Sequence, residues 1–120
     1  MAPAPYNLRG VRILACPPEG QKLQSEGDAL ELITDAGQQG AGLVVIPVER
    51  LAEDFFQLRT GIAGALLQKF ATSRLRVAII GDISWHLAQS RALRDFVMEA
   101  NRGTDVWFLA NLEELSDRLG

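Results

Sequence analysis

Thr60 and Gly61 stand at the expected start of an amphipathic helix running to about Thr72. A helix start presents free N–H groups and the positive end of the helix dipole. That setting holds an anion and stabilises a phosphate on a hydroxyl there, so Thr60 and Gly61 are a candidate phosphorylation or partner site. Four further polar residues flank apolar runs. Glu49 follows the run 43–48, Asp82 follows 75–80, Asn111 follows 105–109, and Arg59 precedes Thr60. Ligands of open α/β sheets gather at the carboxyl ends of the parallel strands. Glu49, Arg59, Asp82 and Asn111 are therefore the candidate rim for a ligand or partner. Each role has a plain structural counterpart: Thr60 as an N-cap, Asp82 as a loop brace, Glu49 as a solvated carboxylate.

Catalytic and cofactor templates fail. No G-x-x-x-x-G-K-[ST] run exists, and Gly61-Ile-Ala-Gly64 lacks the lysine of a phosphate loop. There is no G-x-G-x-x-G and no nucleophile elbow. His86 is the only histidine and has no ligands at metal-binding spacing. Beside Trp85 in an expected loop, it reads as a surface residue able to touch a partner. The single cysteine, Cys16, excludes an internal disulfide and any multi-cysteine metal site; before Pro17 and Pro18 it reads as a small strand-end residue. No cofactor and no metal are expected.

The bulk properties narrow the class further. The 120 residues suit one domain with one core, and 48% apolar with 22% charged residues is ordinary for a globular protein. The net charge is -3 with both signs interspersed, so the basic stripe of a nucleic-acid binder is missing. No apolar stretch approaches the roughly 20 residues that cross a bilayer, and the opening residues lack the pattern of a signal peptide. A cytoplasmic location follows by default. Residues 1–5, rich in proline, are expected to be loose.

The elements that must position these residues follow from periodicity. Residues 6–16 read as extended structure broken near Gly10, a strand or short hairpin. Ser25, with Asp28 three positions on, opens a helix whose stripe is Ala29, Leu32, Ile33 and Ala36, ending at Gly37 or Gly40. The run 43–48 lacks alternation and suits a strand covered on both faces. A connecting segment, 49–59, carries Phe55 and Phe56 as anchors. In the Thr60 helix, Gly61 and Gly64 are poor helix formers, read as permitting close approach to the sheet. A second buried strand covers 75–80. Ser90 caps a helix bearing Leu93, Phe96, Val97 and Ala100, closed by residues 101–103. A last strand covers 105–109, and Asn111 with Glu114 caps a terminal helix bearing Leu112, Leu115 and Leu119. Repeated strand–helix–strand units require right-handed crossovers and a parallel sheet.

The run Phe55-Phe-Gln-Leu-Arg-Thr-Gly-Ile-Ala-Gly-Ala-Leu-Leu-Gln-Lys-Phe70 resembles the hallmark of the domain of unknown function 4180 family of small bacterial proteins. So do Val77-Ala-Ile-Ile-Gly-Asp82, Ser90 with Leu93-Arg-Asp-Phe96, and Glu99-Ala-Asn-Arg-Gly103. The resemblance covers most of the chain from about Ala29 and implies a fold rather than an activity. The element order is also similar to that of STAS domains, the sulfate-transporter and anti-sigma-factor-antagonist fold. There an Asp-Ser-Ser/Thr-Gly motif opens a helix, and its serine is phosphorylated to break a protein complex. Here Leu58-Arg-Thr-Gly61 keeps the hydroxyl–glycine pair and replaces the Asp and Ser.

The reading is a single STAS-like α/β domain over 1–120: a single-layer, mostly parallel sheet with packed helices in the order β(β)-α-β-α-β-α-β-α. Its expected role is a non-enzymatic regulatory or protein-interaction module acting through the rim around Thr60 and Asp82. The partner would be another protein or a second copy, with no nucleic acid and no membrane. The alternative is a small enzyme or small-molecule-binding domain with a polar pocket at the same strand ends. A deep, well-formed pocket with convergent polar groups favours the second, and a flat rim the first.

Overall fold

The computed structural model describes residues 3–120. Two short strands, β1 (Ala4–Leu8) and β2 (Val11–Ala15), form an antiparallel hairpin. Helix α1 (Glu26–Gln39) leads to β3 (Leu43–Pro47), and α2 (Ile62–Thr72) leads to β4 (Arg76–Ile80). Two helices, α3 (Ser84–Gln89) and α4 (Arg91–Arg102), separate β4 from β5 (Val106–Leu109). Helix α5 (Leu112–Leu119) ends the chain. The strands lie in the order β1-β2-β3-β4-β5, with β2 to β5 parallel.

Strand order equals chain order, so every right-handed crossover sends its helix to one face. Ala29, Leu32 and Ala36 of α1, Ala63, Leu66 and Phe70 of α2, and Leu93 and Val97 of α4 share a core with Leu14, Val44, Ile46, Val77, Ile79 and Phe108. Helix α5 covers the opposite face. There Leu115 packs with Ile13, Leu43, Val45, Ala78, Trp107 and Leu109. Burial on both faces is why β3 and β4 read as unbroken apolar runs.

Local chemistry sets the helix boundaries. Ser25 and Asp28 form the capping box of α1, Ser90 accepts the Leu93 N–H, and Asn111 accepts the Glu114 N–H. Gly40 ends α1. Pro47 stands at the end of β3, where it leaves few ladder bonds unmade.

Several expectations are corrected. Ala4 and Pro5 are not loose but belong to β1; as an outer edge it has a side that needs no ladder N–H. Met1 and Ala2 lie outside the described residues. Helix α2 starts at Ile62 rather than Thr60, with Gly61 at its N-cap and φ 78°, a conformation that favours glycine. Gly64 is exposed, and a methyl group placed on it would meet nothing within 4 Å, so close packing on the sheet is not its reason. Trp85 and His86 sit on α3, not in a loop. Leu112 is 48% exposed and does not join the buried face of α5.

Candidate functional site

Two irregular stretches meet at the carboxyl rim of the sheet, one after β3 and one after β4. After β3 the chain makes three successive 3-10 turns, Val48–Arg50, Glu53–Phe56 and Leu58–Thr60. Phe55 and Phe56 are buried and hold this stretch down, their rings edge to face at 5.3 Å. Thr60 ties two of the turns together. Its Oγ1 lies 2.8 Å from both the Asp54 and Gln57 carbonyl oxygens and accepts the Ile62 N–H at 3.3 Å.

After β4, Gly81 has φ 144°, and a Cβ there would approach Val48 Cγ2 to 2.8 Å, so only glycine lets the two stretches come this close. Asp82 then opens α3. Its Oδ1 accepts the Ser84 N–H at 2.9 Å and the Ser84 Oγ–H at 2.6 Å. Those bonds hold its carboxyl below the usual carboxylate range. At the other end of α3, Arg94 donates to the Leu87 carbonyl at 2.8 Å, which also accepts the Ser90 N–H at 3.4 Å.

The two stretches are joined by a stack. The His86 ring lies over Phe56 at 4.1 Å with 12° between planes. Around it runs an open groove of about 740 Å³ whose lining includes Phe56, Gln57, Arg59, Trp85, His86 and Gln89. Trp85 is 71% exposed at its edge. Arg59 donates to the Gln57 Oε1 at 3.3 Å.

One face of His86 is committed to Phe56, and Glu53 lines the same groove. Among the described residues, no group of three His, Cys, Asp or Glu is placed to hold a metal. Cys16 is buried, and burial pushes its thiol up to about 11, far from the thiolate that nucleophilic chemistry needs.

The residues expected at the rim do not all line this groove. Arg59 lies in the groove; Glu49, Asp82 and Asn111 do not line it. Thr60 and Gly61 face a separate hollow of about 200 Å³ beside Ser25 and Glu26 at the start of α1. Glu49 is exposed, with its backbone carbonyl taken by Lys22 Nζ. Asn111 caps α5, which leaves for the other face of the sheet. Phe56, Trp85 and His86 were not expected to act together. An exposed tryptophan beside a histidine just past a strand end is the only local signal for them. The Phe56–His86 contact spans 30 positions, which no local pattern reveals.

The chain belongs to the family described as Domain of unknown function (DUF4180), whose model matches residues 8–119. No curated protein and no solved structure matches it.

Proposed function

We propose that this member of a family of unknown function is a non-enzymatic protein-interaction module whose partner docks in the groove between Arg59 and Trp85. The observation that carries this reading is the exposure of Trp85, 71%, beside a floor made rigid by the Phe56–His86 stack. Tryptophan and arginine dominate the energetics of protein interfaces, and a preformed aromatic floor lowers the ordering cost of docking. The groove is open and mixed in polarity, which fits a polypeptide surface better than an enclosed small-molecule site. Thr60 and Asp82 enter this reading as positioning residues. The first fixes the turns that present Arg59, and the second starts the helix that presents Trp85. A phosphate on Thr60 would face the two carbonyls that its hydroxyl now bridges, so modification there would loosen the Arg59 wall.

The test is affinity capture from the native cell with quantitative mass spectrometry, comparing wild type, Trp85→Ala, Arg59→Ala and Met98→Ala. Met98 is exposed on α4 and does not line the groove. A partner retained by wild type and by Met98→Ala should fall about 30-fold with Trp85→Ala, the effect of losing one hot spot of about 2 kcal/mol. Identical recoveries across the variants would overturn the reading. So would a small molecule retained in native mass spectra of wild type and lost from Trp85→Ala.

A further inference from the structure

Among the described residues no strand lies beside the outer edge of β5, yet both outward backbone groups at Phe108 are occupied. Val77 N–H donates to the Asp105 carbonyl and Gly81 N–H to the Leu109 carbonyl, both at 2.9 Å. Residues that bond the neighbouring strand alternate along a parallel ladder, so Val106, Phe108 and Ala110 turn their backbone groups outward. There the Asn101 side chain meets Phe108 as a strand would. Phe108 N–H donates to Asn101 Oδ1 at 2.7 Å, and Asn101 Nδ2 donates to the Phe108 carbonyl at 3.2 Å. The complementarity fixes the orientation of the amide, because the flipped rotamer would set donor against donor. One step further along, Ala110 N–H donates to Glu114 Oε1 at 3.0 Å.

Asn101 is itself held in place. Arg118 of α5 donates to its backbone carbonyl at 2.7 Å. Trp107 Nε1 donates to the Gly103 carbonyl at 2.8 Å, fastening the end of α4 to the strand it flanks. An asparagine whose only task was to end a helix would need neither the amide pairing nor these braces.

We infer that Asn101 is an edge-closing residue: its amide stands in for a sixth strand and keeps β5 from pairing with β5 of a second copy of this chain. An uncovered edge is a template for strand addition. The partner it would accept first is its own duplicate, because two identical edges pair antiparallel about a two-fold axis and bury the same groups on both sides. The product would be one continuous sheet through two copies. This inference is independent of the groove at Trp85.

The experiment compares wild type, Asn101→Ala, Asn101→Ser and Asn101→Asp by sedimentation equilibrium over a range of concentrations, with amide hydrogen exchange at Phe108. Asn101→Ala and Asn101→Ser remove both bonds and should raise the average mass up to twofold over wild type as concentration rises. The Phe108 amide should exchange fast in the dilute variant and become protected in the associated one. Asn101→Asp keeps the acceptor for Phe108 N–H and sets like charges edge to edge, so it should keep the wild-type mass. If Asn101→Ala fails to fold, Asn101→Ser carries the same expectation. A folded Ala or Ser variant with the mass of wild type at every concentration would overturn the inference. So would association that leaves the Phe108 amide unprotected.

Discussion

The two faces of the sheet are closed by different means. On one, α1, α2 and α4 supply a broad layer of aliphatic and aromatic side chains. On the other, among the described residues, α5 is the one helix, eight residues long, and still Ile13, Leu43, Ala78 and Leu115 are fully buried. The thin face makes up the difference with Trp107 as a slab and arginine stems as a lid. The guanidinium groups of Arg76 and Arg118 lie 4.7 Å and 5.0 Å from the Trp107 ring centre. Arg9, at the hairpin turn, donates to the Ser116 hydroxyl at 3.0 Å and pins β1 and β2 against α5. A face can therefore be sealed with little secondary structure when cationic side chains cover its margin. The groove at Trp85 belongs to the other side for a related reason. Only there do two long crossovers leave irregular backbone at the strand ends.

If the thin face is core in the full sense, Leu115→Ala should cost as much as Leu93→Ala on the thick face, about 2–5 kcal/mol each by urea unfolding. A loss below about 1 kcal/mol at Leu115 alone would break the parity and make the thin face a mere cover. The next effect is at the rim of the thick side. Thr60→Ala should destabilise by about 0.5–2 kcal/mol, while Thr60→Ser keeps most of the stability. Equal losses for both variants would show that the methyl group, not the hydroxyl, holds the turns.

The thick face is not uniformly tight. Between α2 and α4 lies an open channel of about 440 Å³ lined in part by Gly64, Leu67, Phe96, Ala100 and Val106. Gly64→Ala should therefore raise stability by up to about 1 kcal/mol through helix propensity. A fall in the urea midpoint would restore close packing as the reason for this glycine. The smallest effect is local. Because the folded Asp82 carboxyl titrates below its ordinary value, its hold on α3 is complete above that value and is lost as pH falls through the folded one. Trp85 emission should change on that acid side before the rest of the chain unfolds, and Asp82→Asn should abolish the change.

What was legible in the sequence was whatever a few consecutive residues decide. The runs around Val44 and Val77 announce strands by being apolar on both faces. Ser25 with Asp28, and Asn111 with Glu114, announce helix starts because both partners lie within one turn. What was hidden depends on residues that fold together from afar. Thr60 reads as a cap, but the chain makes one more turn with the same hydroxyl before α2 begins at Ile62. Trp85 and His86 look like loop residues because a helix of six residues shows no periodicity. Their role depends on Phe56 from the preceding crossover. Asn101 reads as the end of a helix, and its partner Phe108 arrives only when the chain returns as β5.

The order of strands in the sheet also has a consequence for how the chain is made. Each strand pairs with the one before it, so a chain emerging from its N-terminus always finds its template already in place. No pairing has to skip an intervening strand, so each closure spans a single connection, which favours rapid folding. Until the next strand arrives, however, the newest one is an open edge exposed to other nascent chains. The last strand is different. Asn101 is synthesised before β5, so the group that closes the final edge is waiting when that edge appears.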